Sequence, residues 1–90
     1  MSTDNATTAT PNLPEVNEVV RYRIKRVDKY GLGLYIELVD YNEQEAFVLK
    51  RTDPQTKINT EKYYYGTALR VDTQHGYVDV EPTRDIFSNK

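Results

Sequence analysis

Chemistry has few places to reside in this chain. His75 is the single histidine, and there is no cysteine. No Ser-His or Cys-His nucleophile pair and no metal-ligand cluster stands out from the residue types. Carboxylates are plentiful but scattered over turn segments, as on solvated faces. Gly31-Leu32-Gly33 has the spacing of a phosphate loop. It opens a strand rather than a helix, however, so the helix N-terminus that would hold a phosphate is missing. The expectation is a protein that is not an enzyme and takes no cofactor and no metal.

Groups suited to binding are more numerous. Arg21, Arg23 and Lys25 recur at every second position and would form a basic ridge on the open face of a strand. Such a ridge suits a phosphate backbone or an acidic protein; the plainer reading is a solvated strand face. Tyr22, Tyr30, Tyr35, Tyr63, Tyr64 and Tyr65 are candidate stacking platforms for bases. The RNA-facing candidates are therefore Arg21, Arg23, Lys25, Tyr30 and Tyr35. Against this stands the formal net charge of −2, with 12 Lys and Arg against 14 Asp and Glu. A strong nonspecific nucleic-acid binder carries a basic surplus instead.

The elements that must position these groups are strands. In the central stretch, Leu34, Ile36 and Leu38 alternate with Tyr35 and Glu37, a period of two. Polar residues 39–44 make a connection, and residues 45–49 resume as a short apolar strand. Upstream, residues 16–28 read as one long strand, with Val20, Tyr22, Ile24 and Arg26 on one face. Residues 28–33 form a turn. Residues 63–72 and 77–80 form a hairpin about Thr73-Gln74-His75-Gly76, stopped by Pro82. Gly66 inside its first strand suggests a bulge or a tight bend. On the returning strand Val78 and Val80 face inward, so Tyr77 and Asp79 face outward. Between the third and fourth strands runs a long irregular loop, residues 50–62, with one helical turn expected near Thr60. Such loops are often functional.

At 90 residues the chain is one domain. Five short strands in so little sequence point to an all-β, five-stranded Greek-key barrel, the OB-fold plan. Closure removes the exposed edges that a small core tolerates badly. Residues 1–13 form a polar tail expected to be disordered, 14–81 the barrel, and 82–90 a C-terminal tail with Ile86 and Phe87 as an anchor. No apolar run is long enough to span a bilayer, and the N-terminus lacks a secretory pattern. A cytoplasmic monomer with no membrane association is the expectation.

Several segments resemble a known family. Gly33-Leu34-Tyr35-Ile36, Asp40-Tyr41-Asn42 and Glu45-Ala46-Phe47-Val48-Leu49 are similar to the S1 domain of the α subunit of eukaryotic translation initiation factor 2. Arg70-Val71-Asp72 followed by Gly76-Tyr77-Val78-Asp79-Val80 resembles that family's second hallmark. The resemblance runs over residues 14–81. Three departures mark this chain. It ends soon after the fifth strand, its long loop has no serine, and His75 stands where the family has lysine.

In these respects the chain looks like the poxvirus-type pseudosubstrate mimics of the initiation factor. The resemblance implies an inhibitor of the antiviral double-stranded-RNA-activated protein kinase (PKR). It would occupy the substrate-docking surface of the host kinase domain and so keep translation active. The kinase-docking residues carried over are His75, Gly76, Tyr77 and Asp79. The pseudosubstrate loop is Lys50, Arg51, Thr52 and Asp53, in a segment, residues 50–57, that replaces the family's phosphoserine region and carries only Thr52 and Thr56 as hydroxyls. The second function considered is an RNA-binding module of the translation machinery.

Overall fold

Leu34, Ile36 and Leu38 are fully buried, while Tyr35 and Glu37 lie half-buried on the opposite face. The period of two thus becomes a strand with one wall in the core. The computed structural model describes residues 13–83. Within them run β1 (Val19–Val27), β2 (Leu34–Leu38), β3 (Gln44–Val48), β4 (Tyr64–Asp72) and β5 (Tyr77–Pro82). They close into a barrel in the order β1-β2-β3-β5-β4, with β4 paired back to β1. Every pairing is antiparallel except β3 with β5. The all-β five-stranded barrel is as the sequence indicates. No helix among the described residues is long and apolar enough to cross a membrane.

The core is a single cluster. Val20, Tyr22 and Ile24 from β1 meet the β2 trio, Ala46 and Val48 from β3, Ala68 from β4, and Val78 and Val80 from β5. Each fully buried Val, Leu or Ile contributes about 2 kcal/mol of transfer free energy, and a chain with so few of them depends on all of them. Tyr22 belongs to this core and not to any base-stacking surface. Its ring stacks on Tyr64 at 5.8 Å between centroids. Its hydroxyl has no partner among the described residues, and burial pushes its pKa upward.

Several local expectations are corrected. β1 starts at Val19 rather than Val16, because residues 16–17 form a turn with Asn17 at φ 76°. Arg26 leaves the inward face. The register with β2 slips between Ile24 and Arg26, making Lys25 the extra residue of a bulge that reverses the later parity. Gly66 is not a bulge: it pairs regularly with Val20 and Pro82. The irregularity of β4 falls instead between Ala68 and Arg70. Gly66 is needed for closeness, since a Cβ there would stand 2.5 Å from Val80 Cγ1 and 2.7 Å from the Glu81 carbonyl. β5 ends at Pro82, which is its last residue and still pairs with Gly66.

The connection after β2 is a short 3-10 turn, Val39–Tyr41, followed by Asn42 and Glu43 at positive φ. Residues 49–63 link β3 to β4 without a helix; near Thr60 there is only a turn. The expected tail disorder and the Ile86-Phe87 anchor lie outside the described residues.

Candidate functional site

The β4–β5 turn is built around Asp72. Its Oδ1 accepts the backbone N–H groups of Gln74 and His75, each at 3.1 Å. Its carbonyl accepts the Gly76 N–H at 2.7 Å. Its Oδ2 lies 2.9 Å from His75 Nδ1. The His75 hydrogen bond is the first cause holding the Asp72 carboxyl below the usual carboxylate range. Gly76 takes φ 76°, a left-handed conformation that glycine adopts without strain. The turn therefore has a defined shape set by local bonds.

Val78 and Val80 are buried, so Tyr77 and Asp79 face outward as the alternation requires. Tyr77 is 67% exposed and stacks on the His75 ring at 5.7 Å between centroids. Asp79 is half-buried, with Arg70 Nε 3.8 Å from its Oδ2. The four residues carried over as docking residues thus form one hairpin tip and the strand that leaves it.

Beside this hairpin lies a groove of about 400 Å³. It exists because β3 and β5 pair only at Phe47↔Asp79 and Val48↔Val80. Toward Gln44 and Gly76 the two strands part. Tyr35, Gln44 and Phe47 line one wall; Gly76, Tyr77 and Asp79 line the other. Tyr35 and Phe47 meet edge to face at 5.1 Å, and the Arg26 guanidinium covers the Tyr35 ring at 3.9 Å. Gln44 Nε2 donates to the Gly76 carbonyl at 2.9 Å. Phe47 and Gln44 were not singled out from the sequence. The available signal was parity: with Ala46 and Val48 inward, Phe47 is a large aromatic on the outward face.

The basic ridge does not survive folding as a free surface. Arg21 donates to Asp40 Oδ1 at 2.8 Å, while Arg23 meets Glu37 at 3.2 Å and Glu43 at 2.9 Å. Both guanidinium groups also sit over the Tyr63 ring, at 5.0 and 5.8 Å. Asp40 of the 3-10 turn thus neutralises Arg21, while Glu37 of β2 and Glu43 beyond the turn neutralise Arg23. Lys25 is exposed, with no acidic partner among the described residues. Tyr30 is 73% exposed on the β1–β2 turn. Tyr35 belongs to the groove wall, with its hydroxyl donating to Asp28 Oδ1 at 3.2 Å. The five residues read as RNA-facing are thus not one basic stacking surface.

The loop after β3 also differs from a presented peptide. Thr52 is only 8% exposed. Its Oγ1 donates to the Lys50 carbonyl at 2.8 Å, and its N–H donates to the Gly31 carbonyl at 3.1 Å. Gly31, at φ 74°, packs against the Thr52 carbonyl. Asp53 Oδ1 accepts the Gln55 N–H at 2.9 Å, and Arg51 is exposed. The Thr52 hydroxyl is turned away from solvent, where a kinase would need it in line with a γ-phosphate. No group of three His, Cys, Asp or Glu among the described residues is placed to hold a metal ion.

Comparison with known proteins bears on this geometry. No family model matches the chain. Over 78 residues, 79% of the chain, it is 28% identical to eukaryotic translation initiation factor 2 subunit 1 of Plasmodium falciparum, and equally so to that of Plasmodium berghei. The chain is similar to the initiation factor's α subunit. It spans 23% of the length of these curated relatives.

Among solved structures, a small protein of vaccinia virus (Wisconsin strain) superposes with a TM-score of 0.60 at 25% identity, over 84% of this chain and 98% of that one. A chain of the a/eIF2α–aDim2p–rRNA complex of Pyrococcus horikoshii gives 0.62 at 25% identity, over 76% of this chain and 44% of that one. The intact α subunit of aIF2 from Pyrococcus abyssi shares the fold, with a TM-score of 0.64 at 23% identity, over 84% and 31% of the two chains. The similarity read from the two motifs therefore holds in both sequence and structure.

Proposed function

We propose that this protein is a mimic of the initiation factor's S1 barrel. It docks on the double-stranded-RNA-activated protein kinase in the cytoplasm and inhibits it as a pseudosubstrate. The observation that carries the reading is an exposed aromatic beside a groove, together with a buried, hydrogen-bonded hydroxyl. Tyr77 stands exposed beside a groove lined by Tyr35 and Phe47, while Thr52 is buried, its hydroxyl bonded to the Lys50 carbonyl of its own loop. A ligand with both binds a kinase and is not consumed. An aromatic side chain beside a groove is the usual form of an interface anchor. Glu45 adds negative charge to the groove, and Asp79 lies in it beside Arg70, which suits an apolar partner surface with a basic flank. The match over nearly the whole length of the vaccinia virus protein supports the same reading.

The test is a competition. Activated kinase domain, the initiation factor's α subunit and ATP are incubated with increasing amounts of this protein. The expected result is a dose-dependent fall in phosphorylation of the subunit. Phosphorylation at the control rate with the protein in molar excess ends the proposal.

A second reading, an RNA-binding module, draws on exposed Lys25 and Tyr30 and on the solved neighbour from an rRNA-containing complex. Neutralisation of Arg21 and Arg23 weighs against it. Single-stranded RNA that stays unbound even at low ionic strength eliminates it.

A further inference from the structure

We infer that Gln44 is a positioning residue that sets the width of the groove and holds the β4–β5 turn in place for docking. Its functional weight rests on the docking reading above. The parallel ladder of β3 and β5 pairs Phe47 with Asp79 and Val48 with Val80. Continued three residues toward the start of each strand, it would set Gln44 opposite Gly76. The backbones have separated there, and the groove occupies the gap.

The Gln44 side chain spans that gap. Its Nε2 donates to the Gly76 carbonyl at 2.9 Å and to the Glu45 carbonyl at 3.1 Å. A side-chain amide thus replaces the ladder bond that the splayed strands cannot make. Its backbone is anchored by pairing with Leu38 on β2, so the clasp pulls the turn toward a fixed wall.

A second observation points to the same residue. A Cβ added to Gly76 would meet only Gln44 Nε2, at 3.9 Å. The other bonds that shape the turn are local and radiate from Asp72. They define its shape but not its distance from β3. Tyr77 is also paired with Asp72 in the β4–β5 ladder, so the Gln44 bond sets how close the Gly76 end of the turn, and with it Tyr77, is drawn to the β3 wall of the groove. Holding that separation before the partner arrives removes part of the ordering cost of association.

The experiment uses the full chain and two variants. Gln44→Glu keeps the shape but has no N–H to donate; Gln44→Met keeps the volume and removes all polarity. Both residues suit the half-exposed start of a strand. Backbone ¹⁵N relaxation is measured at residues 74–78, and affinity is measured for the isolated kinase domain. The expected result is lower order parameters at Gly76 and Tyr77 in both variants, with those at Val48 and Val80 unchanged. Affinity should fall about threefold to tenfold, the worth of one hydrogen bond. Order parameters at Tyr77 equal to wild type in both variants overturn the inference, even if affinity falls, because the effect would then be direct contact. Loosening of the turn supports the clasp. Should wild-type protein fail to bind the kinase domain while the turn still loosens, the docking reading falls and the clasp stands.

Discussion

The rings of His75 and Tyr77 lie nearly parallel, 15° apart, with centroids separated by 5.7 Å. His75 is itself held by Asp72, so the stack fixes the Tyr77 ring from behind while leaving it open to a partner. An aromatic anchor set in this way loses little freedom on binding. Tyr77→Ala should reduce affinity for the kinase domain by at least about tenfold. The thermal midpoint should move by no more than about 3 °C, because surface truncations away from the core are nearly neutral. Titration calorimetry and a melting curve on the same sample separate the two effects. Unchanged affinity would remove the hairpin from the interface.

Thr52 should remain unphosphorylated in the folded protein. Its hydroxyl is spent on the Lys50 carbonyl, and its side chain is buried. After incubation with active kinase and labelled ATP, phosphopeptide mapping should find no label there. Thr52→Ala should cost about 1–2 kcal/mol in unfolding free energy, from loss of that hydrogen bond, and leave inhibition intact. Stoichiometric label on Thr52 would show that the loop opens and presents it as a substrate.

Two glycines mark where the barrel tolerates no side chain. At Gly33 a Cβ would stand 2.2 Å from the Val48 carbonyl and 2.6 Å from the Phe47 ring. At Gly66 it would be 2.5 Å from Val80 Cγ1. Each glycine-to-alanine change should lower stability by about 2–3 kcal/mol through forced repacking. That corresponds to a fall of roughly 10–20 °C in thermal midpoint for a domain of this size. Midpoints within a degree or two of wild type would mean that the strands separate more easily than their packing implies.

Tyr41 donates its phenolic O–H to the Glu18 carboxylate, tying the 3-10 turn to the entry of β1. The bond pushes the Tyr41 pKa from 10.0 up to about 12 and lowers that of Glu18. For the raised phenol, the stabilisation is full below its unfolded value near 10 and is lost as the pH rises through about 12. For the lowered carboxyl, it is present above the unfolded value of 4.5 and is lost as the pH falls through the lower native value. Phenolate absorbance of wild type minus Tyr41→Phe should therefore titrate near 12. A difference curve centred near 10 would show that the bond does not persist in solution.

The sequence by itself determined the strands, the barrel and the outward pair on β5. Leu34, Ile36 and Leu38, or Val78 and Val80, need only their own spacing to declare an inner face, because the pleat is a local property of the backbone. The two motifs carrying the family resemblance are likewise contiguous stretches. Only the tertiary structure decided the remainder. Arg21 and Arg23 are neutralised by carboxylates 14 to 20 positions away in the chain. Thr52 is buried where its backbone N–H meets the Gly31 carbonyl of the β1–β2 turn. Arg26 changes faces at a bulge that exists only relative to β2. Gln44 meets Gly76 because the barrel closes through β3 and β5. Each of these depends on which strands become neighbours and in what register, and period-two alternation carries no information about either.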